Sequence, residues 1–179
     1  MNDRKLVSVF YRSAFPLSLV LLALSFAVHL ITFAPINEQD EFPFVFLLHV
    51  GIFALGVPLV FIDRVLKKSP SMAGYDDSYK HPAWIWVCFG LLAAYVAFNF
   101  FYFLIAGEGQ PEMEAGRYWL KNKSVVIREL TRQEYDAESA RILHGFSGHW
   151  LIFYLYIAWA SYAGKKSLMK RVQPIVTKA

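Results

Sequence analysis

Imidazole is the side chain of this chain best suited to chemistry near neutral pH, since it can ligate a metal, accept a proton or donate one. The 179 residues contain five histidines, and three of them, His29, His49 and His149, fall inside or at the edge of long apolar runs. His144 lies just before the last of these runs. Imidazoles from different membrane helices can be the axial ligands of a b-type haem lying along a bundle, and His49 and His149 are the preferred pair, with His29 nearby. The same set with His144 and a carboxylate from Glu38, Asp40 or Glu41 offers the nitrogen and oxygen donors that suit a divalent metal such as zinc or copper. Against both stands a plainer role. A histidine inside a bilayer can bond a backbone carbonyl or a hydroxyl on a neighbouring helix and hold the two together.

Asn99 belongs to the same class of expectation. It sits mid-way along an apolar run, where an unmatched amide would cost several kcal/mol in hydrocarbon, so an interhelical partner and a structural polar role are expected. Ser18, Ser25 and Thr32 can each satisfy a carbonyl of their own helix. Ser147 is placed to cap a helix beside His149. No Walker sequence, dinucleotide fingerprint, HExxH, CxxCH or GxSxG motif occurs, which weakens the common enzyme classes and leaves no catalytic residue to name. The single cysteine, Cys88, cannot close an intrachain disulfide.

The elements that must carry these residues follow from hydropathy. Hydrophobic residues make up 56% of the chain, with 16 Phe, 10 Tyr and 5 Trp, more than a soluble domain of this size can bury. Four apolar runs, 15–33, 42–62, 83–106 and 146–163, have lengths near the roughly 20 residues that span a bilayer. The last is the shortest and most polar and must lean on the others. The first exceeds a signal-peptide core and is expected to be retained. The fold expected is an all-α transmembrane four-helix bundle forming one domain.

Charge orients it. Twelve Lys and Arg lie on the side holding both termini and six on the other, so both ends are expected in the cytoplasm of a bacterium, with the chain in its inner membrane. The net charge of +4 collects at the ends of apolar runs and forms no continuous basic face, which argues against nucleic acid. Trp84, Trp86, Trp159 and Trp150 are expected at the headgroup levels.

Residues 107–145 are long enough for a small extracytoplasmic cap. A flexible opening, GEGQPEMEAG, precedes two strand-like runs, RYWL and VVIREL, separated by KNKS, which predict a β-hairpin with a four-residue loop. Thr131 and Glu134 then form a capping box opening a short helix before the fourth crossing. The inner link and the basic tail 164–179 are expected at the cytoplasmic surface, near anionic lipid. These features point to a non-catalytic accessory, scaffolding or sensory subunit that meets membrane lipid and a membrane or periplasmic protein partner, or a second copy of itself. The alternatives are the haem- or metal-binding electron-transfer protein built on the histidines and a small oligomeric channel or transporter.

Overall fold

The computed structural model describes residues 3–35, 42–64 and 82–169. Within them are helices α1 (Asp3–Ile31), α2 (Leu47–Arg64) and α3 (Ala83–Ala106), strands β1 (Gln110–Glu114), β2 (Arg117–Asn122) and β3 (Val125–Leu130), and helix α4 (Arg132–Met169). Glu38, Asp40, Glu41, most of the inner link and the end of the basic tail lie outside the described residues.

Three of the four helices, α1 to α3, are long and apolar enough to cross a membrane. Their outward faces carry large exposed apolar side chains such as Leu24, Phe53 and Leu91, the surface that hydrocarbon would cover. The protein is therefore built as a multi-span α-helical membrane protein. The fourth helix does not meet the same hydropathy criterion, and its place in the fold explains why. α4 is the helix against which α1, α2 and α3 all pack. Trp150, Tyr154, Ile157, Ser147 and Ser161 along it are buried. A helix shielded by its neighbours needs little lipid-facing hydrophobicity, and small or hydroxylated residues let the surrounding backbones come close. At Gly164 any Cβ would overlap the Tyr11 ring of α1; at Gly145 it would lie 2.9 Å from the Phe103 ring of α3.

Two expectations about the cap are corrected. The segments expected as a short outer helix and a fourth crossing are one continuous helix of 38 residues, about 57 Å long at 1.5 Å per residue. The Gly-containing stretch HGFSGH does not interrupt it, because those glycines face ring and amide groups of α3 at close approach. The hairpin is in fact a three-stranded antiparallel sheet ordered β1-β2-β3, and part of the supposed flexible opening is an edge strand. Pro111 is tolerated there because an edge strand leaves one side of its backbone unpaired. Both turns have two central residues, Ala115-Gly116 and Lys123-Ser124, all with φ between 48° and 77°. Such left-handed pairs match the twist of tight hairpins, so the second loop is two residues long, not four. Leu120, Leu130 and Tyr118 pack on Tyr135, which fixes the sheet to the first turns of α4.

The capping box forms as expected. Thr131 N–H donates to Glu134 Oε2 at 2.7 Å, Glu134 N–H donates to Thr131 Oγ1 at 3.2 Å, and Arg128 of β3 pairs with Glu134 Oε1 at 2.7 Å. The Thr131 backbone N–H and the Arg128 guanidinium hold the Glu134 carboxyl down at about 2, below its ordinary 4.5. A depressed carboxyl contributes stability above its unfolded value and loses it as pH falls through the folded one. Protection of the α4 N-terminal amides against hydrogen exchange is thus expected to fall between pH 4.5 and pH 2, and to be flat over that window in Glu134→Gln. Equal pH dependence in the two proteins would remove Glu134 as the cause.

Candidate functional site

His29, His144, Thr32, Ser147, Tyr95 and Asn99 come together where the sheet-bearing ends of α1, α3 and α4 meet. The two imidazoles stack, with ring centroids 4.2 Å apart and 25° between planes. His29 is 3% exposed and Asn99 5%, so their polar atoms depend on protein partners.

The hydroxyls fix the direction of every bond. Ser147 Oγ–H donates to the His144 carbonyl at 3.1 Å, so its oxygen accepts from His29 Nδ1–H at 2.8 Å. The neutral His29 ring then has its lone pair on Nε2, which accepts from the Tyr95 hydroxyl. Thr32 Oγ1–H donates to the His29 carbonyl at 2.7 Å, and its oxygen accepts from His144 Nδ1–H at 2.7 Å. Each histidine therefore reaches the other's carbonyl through one hydroxyl. Asn99 Nδ2 adds a bond from α3 to the His144 carbonyl at 3.1 Å. A Cβ at position 148 would lie 2.6 Å from that amide nitrogen, so glycine there admits Asn99 to the α4 backbone.

This reciprocity has a sequence signal that hydropathy passes over. His29-x-x-Thr32 and His144-x-x-Ser147 repeat one pattern on two antiparallel helices. A hydroxyl one turn after a histidine can bond that histidine's carbonyl and still present its oxygen to the facing helix. Thr32 does satisfy its own helix as expected, as does Ser18, whose Oγ–H donates to the Phe15 carbonyl at 2.8 Å. Two related expectations fail. Ser25 Oγ is buried with no hydrogen-bond partner among the described residues, and Ser147 stands in mid-helix instead of capping one.

The other two described histidines, His49 and His149, are placed apart from this cluster. His49 of α2 accepts from the Trp150 indole N–H at 3.2 Å through Nδ1, so its neutral ring carries the proton on Nε2. Trp150 is wholly buried by that arrangement and is not an interfacial anchor; Trp84 and Trp86 remain exposed. His149 Nδ1–H donates to the Gly145 carbonyl one turn back at 2.8 Å, and its ring meets Phe100 edge-on at 5.1 Å. Of the proposed ligands, the structure thus joins His29 with His144 and sets His49 against Trp150 and His149 against Phe100. No group of three or more His, Cys, Asp or Glu able to hold a metal occurs among the described residues.

The fold and the cluster together define a multi-span helical membrane protein in which α1, α3 and α4 are tied by a buried histidine–hydroxyl network. No family model, curated protein or solved structure matches the chain.

Proposed function

We propose that the protein is a non-catalytic accessory or sensory component of a bacterial inner-membrane assembly, with both termini cytoplasmic and the sheet on the outer surface meeting a membrane or periplasmic protein. The observation that supports this most is β3. Val125, Val126 and Ile127 are 67%, 50% and 45% exposed on an edge strand, a combination that natural sheets avoid unless another chain covers it. The histidines support the same view, because each of the four described ones commits a ring nitrogen within the protein, His29, His144 and His49 to a side chain from another helix or its end and His149 to a carbonyl of its own helix.

A photo-reactive residue placed at Ile127 in the native membrane is expected to give one discrete protein adduct, with none from the same residue at Val87 on the apolar face of α3. Absence of an adduct at Ile127, or equal adducts at both sites, would remove the docking role. A haem or metal-binding role is the second reading, and one geometry favours it. His149 Nδ1–H on a carbonyl leaves Nε2 as a lone pair, the arrangement of a ligating imidazole. His49 is less suited, since ligation through Nδ1 would displace Trp150. Oxidised and dithionite-reduced absorption spectra with metal content on the same detergent-purified sample separate the two. The accessory role predicts a colourless protein with metal far below one per chain; a reducible Soret band near stoichiometry would overturn it in favour of electron transfer. Solute flux through protein-containing vesicles would instead indicate an oligomeric channel.

A further inference from the structure

α1 and α3 both lie against α4 but scarcely approach each other, so a seam runs between them with α4 as its floor. The Tyr95–His29 hydrogen bond bridges this seam. On the side of the bridge away from the sheet, a cavity of about 610 Å³ extends among Leu19, Ala23, Phe26, Leu92 and Leu151, almost wholly apolar. On the sheet side, a second cavity of about 330 Å³ is bordered by Phe33, Asn99, Tyr102, Phe103, Arg141 and His144. Both border on Phe33, so they lie next to each other along the seam. Each has the size of a small-molecule site, roughly 300–1,000 Å³. A long apolar compartment beside a smaller one that presents a few polar groups, Asn99, Arg141 and His144, suits a ligand with a hydrocarbon tail and a compact head.

The donors and acceptors define the head. His144 gives its Nδ1–H to Thr32, so Nε2 of the neutral ring is an acceptor, and no described residue bonds it. Asn99 uses its amide N–H on the His144 carbonyl, and its carbonyl oxygen likewise has no partner among the described residues. Two unengaged acceptors call for a head that brings hydroxyl donors. The cation at this cavity, Arg141, is held by Glu138 at 2.7 Å and by the Phe103 and Gly109 carbonyls at 3.4 and 3.3 Å. Its charge is matched, which removes the attraction a phosphate headgroup would need. Phe33, Tyr102 and Phe103 supply flat apolar walls suited to a ring.

We infer that the α1/α3 seam binds a membrane quinol, a neutral dihydroxylated ring on a long hydrocarbon chain, with the ring hydroxyls toward His144 and Asn99 and the chain along Ala23 and Leu92. This rests on the seam alone and holds whether or not β3 meets a partner.

The test uses the full chain, labelled with ¹⁵N-histidine, in phosphatidylcholine nanodiscs under anaerobic conditions. Titration with a decyl-substituted benzoquinol is expected to move the His144 Nε2 resonance saturably and to leave those of His49 and His149 in place. Ala137→Trp, at an exposed small residue bordering the head cavity, and Ala23→Trp, at an exposed small residue in the tail groove, are each expected to weaken binding about tenfold or more. If one variant fails to fold, the other decides. No saturable movement of His144, or unchanged affinity in a folded variant, overturns the site. An equal response to decanol at matched concentrations would show that the seam takes any alkyl chain with a hydroxyl, and would overturn the assignment to a quinol.

Discussion

Gly164→Ala is expected to destabilise the protein by about 2 kcal/mol, although alanine is intrinsically about 1 kcal/mol better than glycine inside a helix. The added methyl enters the Tyr11 ring, which is 1% exposed and enclosed by the α1–α4 interface, so it cannot swing into lipid. In a Tyr11→Ala background the obstacle is gone, and the same substitution should be neutral or stabilising by up to about 1 kcal/mol. Unfolding free energies of the four proteins in mixed micelles complete the cycle. An equal cost of Gly164→Ala in both backgrounds would show that the ring is not what the methyl meets. Gly164→Val should be worse than alanine, because a β-branched side chain has no rotamer that avoids the same ring.

That result would also test why α4 is the element least legible in the sequence. Hydropathy detects contact with lipid, and it locates α1, α2 and α3 because their outer faces carry Leu24, Phe53 and Leu91. The most enclosed helix has the opposite signature. Gly145, Gly148, Ser147, Ser161 and Gly164 lower its apolarity because neighbouring helices occupy those positions closely. The same residues made HGFSGH resemble a break between a short helix and a membrane crossing. In the cap, Thr131 and Glu134 announce the start of α4 through side chains of known geometry. Strand β1 is hidden, since QPEME exposes most of its length and shows no alternation for a core to impose.

The histidines divide in a similar way. Position along the apolar runs places His29, His49, His144 and His149 toward one end of the bundle, but a helix turns about 100° per residue and hydropathy says little about which neighbour each one faces. His149 and Trp150 are adjacent in sequence, yet one meets Phe100 of α3 and the other His49 of α2. Local hydroxyl spacing was the informative signal, because Thr32 and Ser147 stand one turn after the two histidines that do meet.

His29→Leu is expected to cost about 3 kcal/mol, since it removes a buried ring and leaves its two hydroxyl partners without the bonds they made to it. Tyr95 loses the acceptor for its hydroxyl, and Ser147 loses the donor to its oxygen. Tyr95→Phe alone should cost about 1 kcal/mol, by leaving Nε2 unsatisfied. In the His29→Leu background it should cost nothing measurable, or relieve a small part of the loss, because the phenol no longer has a ring to serve. The coupling is thus about 1 kcal/mol or more, and additive effects would mean that the Tyr95–His29 bond is not formed in the membrane. The hydrogen-bond directions make a second, independent demand: ¹⁵N spectra must show His29 and His144 protonated at Nδ1 and His49 protonated at Nε2. A reversed pair would break the link through Ser147 or Thr32 and leave a buried hydroxyl without its role. Taken with the cycle, the tautomers decide whether His29 is a fixed tie between α1, α3 and α4, in which case Nε2 of His144 is the ring edge of the stacked pair left to meet a ligand in the seam.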